Sequence, residues 1–231
     1  MICFRIQERM NEMNTAVELM RKEQQRKLEN YRVLNKTAVR GKILFTGSSL
    51  MEMFPVEEFL QEEGSDQIIY NRGIGGFVTD DMLRNMNEQI FDLEPSAIFI
   101  NIGTNDIGDS SRTFPEVLSH MLRNYEEILR QISERLPDTK VFTMAYYPVC
   151  STGKENDPAF INRNNQNLPA ANKAVKELAE KTGYCFIDVN DGLTDEQGML
   201  KESLTIDGIH MYPEGYRIVW ENLKPYLYAL R

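Results

Sequence analysis

Five short apolar runs restrict the fold of this chain more than any other feature. They are Lys42–Thr46 (KILFT), Gln67–Tyr70 (QIIY), Ser96–Ile102 (SAIFINI), Lys140–Tyr147 (KVFTMAYY) and Tyr184–Val189 (YCFIDV). Strands that are apolar throughout need cover on both faces, which a parallel sheet between two helical layers supplies. The intervening sequence has helical periodicity. Helices are predicted around Pro55–Glu62, over about Asp80–Phe91 with Thr79 as N-cap, and over about Pro115–Leu136 with Thr113 or Phe114 just before it. A fourth ends near Thr182-Gly183, with the glycine as C-cap, and a last one runs from Pro213 to the C-terminus. A chain of 231 residues supports one substantial core. The expectation is therefore a flavodoxin-like, three-layer α/β/α fold with a five-stranded parallel sheet.

Residues 8–36 read as one long helix preceding this domain. Met10, Met13, Val17, Met20, Tyr31 and Leu34 recur at intervals of three and four, interrupted by Gln24 and Lys27. The helix either packs on its own domain or serves as a lid or self-associating element, which makes a homodimer through it an expectation to test. The division is a helical extension over 1–40 and the main domain over 41–231.

Charge narrows the class of partner. The net charge is −9, and residues 1–40 carry nine Lys/Arg against five Glu, leaving the remainder near −13. Such a balance excludes a nucleic-acid partner bound by charge. Cys3, Cys150 and Cys185 are dispersed, with no CxxC pair, so neither a disulfide framework nor a zinc site is expected. No run is long enough to insert in a membrane, and a cytoplasmic location is the default.

In open parallel sheets, sites gather at the carboxyl ends of the strands. Gly47-Ser48-Ser49 follows the first run, and Asn71-Arg72-Gly73-Ile74-Gly75-Gly76 follows the second. Gly103-Thr104-Asn105-Asp106 follows the third, and Asp207-Gly208-Ile209-His210 precedes the last helix. Ser48 or Ser49, at a strand-to-helix turn, is either an exposed hydroxyl nucleophile or a helix cap. His210 has a carboxylate three residues before it, which can hold its Nδ1–H and leave Nε2 open; the same pattern fits an ordinary turn. His120, the second of two histidines, lies within an amphipathic helix and reads as a boundary residue. Asn105 can donate to an oxyanion or serve a turn, and Gly75 and Gly76 allow close backbone approach. The set provides a nucleophile, a base, an orienting carboxylate and oxyanion donors, as acyl transfer requires.

With these blocks in order, the sequence resembles the SGNH (GDSL) hydrolases, including their platelet-activating-factor acetylhydrolase-like members, over about Lys42–Leu227. FTGSSL resembles the nucleophile block, NRGIGG the glycine block, IGTND the GxND block and DGIH the closing DxxH block. The resemblance implies a triad of Ser49, Asp207 and His210, and an oxyanion hole from Ser49, Gly76 and Asn105. It also puts Ser48 where the family carries aspartate. It implies a serine esterase acting on a small-molecule ester, of short acyl or acetyl type, without cofactor or metal. Two other readings remain: a flavodoxin-like phosphate- or nucleotide-binding module and a catalytically silent scaffold. Met51, Met53, Phe54, Phe77, Ile107, Tyr147 and Met211 are candidates for an acyl pocket or for core, and the Val149–Asn167 loop for a cover.

Overall fold

The computed structural model describes the backbone of residues 2–154 and 156–230, and the side chains of residues 15–154 and 156–230. Five strands, β1 (Ile43–Gly47), β2 (Ile69–Asn71), β3 (Ala97–Asn101), β4 (Lys140–Met144) and β5 (Cys185–Ile187), form an all-parallel sheet in the order β2-β1-β3-β4-β5. Ile43 of β1 lies opposite Ile69 on one side and Ala97 on the other. The chain reverses its direction of winding between β1 and β3, and a crevice at such a switch point is where these folds bind ligands. The helices are α1 (Ile2–Asn35), α2 (Ser49–Glu52), α3 (Val56–Glu62), α4 (Thr79–Arg84), α5 (Met86–Gln89), α6 (Thr104–Ile107), α7 (Phe114–Arg135), α8 (Pro158–Ile161), α9 (Leu168–Thr182) and α10 (Pro213–Tyr228).

Alternation along the strands builds two cores, one on each face of the sheet. Leu44, Ile98, Ile100 and Val141 pack against Met82, Met121, Tyr125, Ile128 and Val175. On the opposite face Ile43, Phe45, Phe99 and Ile187 pack with Met51, Phe59, Trp220 and Leu223. Phe45, Phe99 and Phe142 form a ladder across β1, β3 and β4, with centroids 5.1 and 4.6 Å apart. Burying one large apolar side chain contributes about 1.5–3 kcal/mol, so these faces supply the main driving force. The fold class expected from the apolar runs is the one observed.

Several boundaries differ from those expected. β4 ends at Met144, with the Ala145 N–H still bonded to Ile187 O at 2.8 Å. Tyr146 and Tyr147 beyond it stay buried, so the end of the apolar run marks burial rather than pairing. The helix predicted over Asp80–Phe91 is broken at Asn85 into α4 and α5, followed by a 3-10 turn at Phe91–Leu93. Thr79 is not its N-cap. Val78 holds that position, and the Thr79 hydroxyl donates instead to the buried Asp106 carboxylate. α7 is capped as its sequence suggests: the Glu116 carboxylate accepts the Thr113 N–H at 2.9 Å and the Thr113 hydroxyl at 2.6 Å.

Of the apolar stripe on α1, Tyr31 packs against the core, Val17, Met20 and Leu34 do not, and the side chains of Met10 and Met13 lie outside the described residues. Val17, Leu19, Met20 and Leu34 are exposed, whereas Gln24 and Leu28 are buried. Towards its end the helix is tied to α5: Arg32 pairs with Glu88 at 2.6 Å, and the Asn35 amide donates to the Glu88 carbonyl. Among the described residues no helix is long and apolar enough to cross a membrane.

Candidate active site

The turn after β1 starts at a glycine because β3 runs too close for a side chain. A Cβ on Gly47 would lie 2.0 Å from the Asn101 carbonyl oxygen, and its φ of +149° is a conformation other residues rarely adopt. Ser48 follows, wholly buried, with no hydrogen-bond partner for its hydroxyl among the described residues. Its backbone holds the turn: the N–H donates to Asn101 O, and the carbonyl accepts Met51 N–H at 3.1 Å and Glu52 N–H at 2.9 Å. Ser49 is the first residue of α2 and is half-buried, with its hydroxyl at the rim. Of the two serines, only Ser49 presents its oxygen to the crevice.

Ser49 Oγ lies 2.8 Å from His210 Nε2, and His210 Nδ1 lies 2.6 Å from Asp207 Oδ2. This fixes the tautomer, since Nδ1–H donates to the carboxylate and Nε2 is left to accept the serine proton. The Asp207–His210 loop is tied by its own turn. Asp207 Oδ1 accepts the Ile209 and His210 N–H groups at 2.9 and 2.8 Å, and the Thr205 hydroxyl donates to His210 O at 2.8 Å. Burial pushes the Asp207 carboxyl up, but the hydrogen bonds from His210 and Ile209 outweigh it and hold the group below the usual carboxylate range.

The glycine loop lies beside the serine: a Cβ on Gly75 would be 3.7 Å from Ser49 Cβ. Neither the Ser49 nor the Gly76 N–H has an acceptor among the described residues. Asn105 completes the group. Its Nδ2 donates to Phe77 O at 3.0 Å, and its Oδ1 accepts from Arg163 Nη2 at 3.3 Å. A carbonyl on one end and a cation on the other leave one orientation for the amide, with a second N–H not used by either.

Two supports of this site, from α1 and from Glu52, were not anticipated from the sequence. α1 grips the glycine loop: Gln24 Nε2 donates to Gly75 O at 2.7 Å, and the Tyr31 hydroxyl donates to Gly73 O at 2.8 Å. From below, the Glu52 carboxylate accepts the Gly75 N–H at 2.5 Å and pairs with Lys27. Asp106 then joins the two loops, accepting the Thr79 N–H at 3.0 Å and the Thr79 hydroxyl at 2.5 Å. Burial pushes its carboxyl up to about 6 despite those bonds. The interruptions Gln24 and Lys27 in the α1 stripe were the available signal. A helix that packs on loop backbone needs polar groups at its contact face.

Of the acyl-pocket candidates, Met51, Phe54, Phe77, Ile107, Tyr147 and Met211 are buried in the two cores, whereas Met53 is exposed. The Val149–Asn167 loop is not a plain surface connection. Cys150 N–H donates to Gly208 O at 2.8 Å, Lys154 Nζ donates to Asp207 O, and Arg163 reaches Asn105. Among the described residues no cluster of side chains could hold a metal ion.

A parallel α/β/α sheet with a hydroxyl, imidazole and carboxylate in line at its switch point defines a hydrolase of the SGNH fold. The chain belongs to the GDSL-like lipase/acylhydrolase family, whose model matches residues 55–218 and so contains Gly76, Asn105, Asp207 and His210. Ser49 lies just before the matched span. The chain is 25% identical over 176 residues to platelet-activating factor acetylhydrolase IB subunit alpha2 of Rattus norvegicus, covering 75% of this chain and 70% of that protein. A solved structure described as a platelet activating factor from Streptococcus pneumonia is 34% identical, with a TM-score of 0.82, covering 94% of this chain and 98% of that one. A catalytic mutant of an acetylxylan esterase from Geobacillus stearothermophilus shares the fold at a TM-score of 0.60 and 20% identity, covering 84% and 96%. The protein is a carboxylic ester hydrolase.

Proposed function

We propose that this hydrolase cleaves an ester of a short acyl group, acetyl first among them, through an acyl-enzyme on Ser49. The observation that carries the reading is the 2.8 Å contact between Ser49 Oγ and His210 Nε2, aligned by the 2.6 Å contact to Asp207. Ser49 Oγ attacks the ester carbonyl carbon as its proton passes to His210 Nε2, and Asp207 stabilises the imidazolium. The Ser49 and Gly76 N–H groups and the second Asn105 N–H receive the oxyanion. Collapse breaks the ester C–O bond, with the Nε2 proton leaving on the alcohol. Water then adds to the acyl carbon, giving its proton to His210, and the acid is released as Ser49 regains its hydrogen.

The acetyl preference is supported by the names of two similar proteins, an acetylhydrolase and an acetylxylan esterase. Family membership sets aside the phosphate-binding alternative. Hydrolysis of p-nitrophenyl esters from acetate to palmitate is expected to be confined to acetate and butyrate, and to vanish in Ser49→Ala. A maximum at long chains overturns the acyl assignment, and a fully active Ser49→Ala overturns the nucleophile. A homodimer along α1 belongs to the same proposal, motivated by exposed Val17, Leu19 and Met20. Sedimentation of a pure monomer at high concentration would remove it. A cytoplasmic setting is supported by the free thiols of Cys150 and Cys185.

A further inference from the structure

Arg163 is more than nine-tenths buried and has no counter-charge of its own. Its Nη2 donates to Asn105 Oδ1 at 3.3 Å, while its Nε is buried without a partner among the described residues. It forms no ion pair among those residues, and the Asp207 carboxylate is near enough to favour its charge while burial disfavours it. Buried guanidinium groups are ordinarily paired, because taking the charge out of water costs several kcal/mol. In a chain of net charge −9, an unpaired buried cation beside the reaction centre calls for an explanation.

The surroundings hold this guanidinium in place. Asn162, next to it, is buried and its amide donates to Asp109 O at 2.7 Å and Arg112 O at 2.9 Å. On the other side Asn165 bonds both the N–H and the carbonyl of Val149, at 2.9 and 2.7 Å. The planar group lies over Gly108, where a Cβ would come within 2.1 Å of Nη2. Thus a glycine makes room for it, and two asparagines stitch the segment that carries it. A cation fixed in this way is pre-organised to meet an anion with little entropy cost.

We propose that Arg163 binds an anionic oxygen group, a carboxylate or phosphate, carried on the alcohol portion of the ester substrate. The inference rests on the serine-esterase reading of Ser49 and His210. The side is set by chemistry. The leaving alcohol takes its proton from His210 Nε2, and the loop that carries Arg163 closes on the Asp207–His210 segment, with Cys150 N–H donating to Gly208 O at 2.8 Å and Lys154 Nζ to Asp207 O. Arg163 suits the task because its planar fork meets carboxylate or phosphate oxygens with two N–H groups.

The test uses three phenyl acetates that differ at the para position: a neutral carboxamide, a carboxylate and a phosphonate. Each is assayed with the unmodified protein, with Arg163→Gln and with Arg163→Lys. The quantity read is the ratio of kcat/KM for each charged ester to that for the neutral one, within one protein. Folded fraction and the intrinsic reactivity of the esters cancel when ratios are compared between proteins. Arg163→Gln is expected to lower the ratio about 10- to 100-fold for at least one anion, the span a charge-assisted hydrogen bond provides. Arg163→Lys retains part of it. The carboxylate and phosphonate arms separate the two sources of negative charge. A ratio unchanged in Arg163→Gln overturns the proposal, and a uniform fall across all three esters assigns Arg163 to positioning Asn105 alone. If the unmodified protein cleaves none of the three, the esterase reading fails separately. Calorimetric binding of 4-hydroxybenzoate and 4-hydroxyphenylphosphonate then decides Arg163 by itself: binding lost in Arg163→Gln sustains it, and equal or absent binding overturns it.

Discussion

The chain has two histidines, and each touches an aspartate at 2.6 Å. His120 joins α7 to Asp80 of α4, and His210 joins Asp207 within one loop. Exposure barely separates them: the side chains are 30% and 28% exposed for the histidines, and 40% and 48% for the aspartates. The aspartates do not separate them either. In both, burial raises the carboxyl, and the hydrogen bonds and charges around it, the imidazole contact among them, together more than offset it and leave the group below its usual range. The difference is which nitrogen the carboxylate occupies. Asp207 takes Nδ1, so Nε2 at the outer end of the ring meets a serine hydroxyl. Asp80 takes Nε2, and no hydroxyl meets the other nitrogen among the described hydrogen bonds. A His–Asp pair becomes a catalytic base through the atom left over, not through the pair itself.

The largest effect expected from this comparison comes from Asn in place of each aspartate. Asp207→Asn leaves the geometry but can stabilise the wrong tautomer, and turnover is expected to fall by about 10⁴-fold. Asp80→Asn is expected to leave kcat and KM within about twofold, as a change away from the reacting atoms. Equal losses in the two variants would break the comparison. A smaller effect sharpens it: Asn105→Ala removes an oxyanion donor with no counterpart near His120, and kcat is expected to drop by about 10²–10³-fold. An unchanged kcat removes Asn105 from the oxyanion hole.

Much of the His210 region was legible because its pieces are local or follow strands. DGIH contains both members of its pair, and GSS, NRGIGG and GTND each follow an apolar run that forms a strand. What was not legible depends on contacts between distant segments. Arg163 meets Asn105 across 58 positions, and Gln24 meets Gly75 across 51. Thr79 looked like a cap because Thr before a helix usually is one. Its hydroxyl is instead taken by Asp106, a partner 27 positions later that outcompetes the local role. The α1 stripe was only partly informative for a related reason: the helix bonds carbonyls of the Gly73–Gly76 loop through Gln24 and Tyr31, so a polar residue that interrupts the stripe shares its inner face with an apolar one.

The two regions meet at Asp106. Asn124, one turn after His120, donates to Thr79 Oγ1 at 3.0 Å, and Thr79 in turn donates to Asp106, beside Asn105. With its carboxyl raised to about 6, native Asp106 holds a proton that the unfolded chain has already lost above about pH 4. Its contribution to stability is therefore present below pH 4 and lost as pH rises through about 6. Asp207 has the opposite sign: its contribution is present above about pH 4 and lost as pH falls through its lowered value. Asp106→Asn removes the first dependence. Between pH 4 and pH 6 the variant is expected to gain on the unmodified protein by on the order of 2–3 kcal/mol, read from urea midpoints. A difference that stays constant over that range places the Asp106 carboxyl at an ordinary value.

The smallest effect expected is that of His120→Gln, and it decides how separate the two regions are. The His120–Asp80 contact is partly exposed and joins two helices, so its loss should reduce stability by about 1 kcal/mol or less. Turnover should stay within about twofold, because Thr79 and Asp106 keep their mutual bonds without His120. Both quantities come from one preparation, a urea melt and an acetate-ester assay. A tenfold fall in kcat at unchanged stability would mean that the helix pair transmits to Asn105 through Asn124, Thr79 and Asp106. In that case the second histidine would be a positioning residue of the oxyanion hole, and the two regions would be one site.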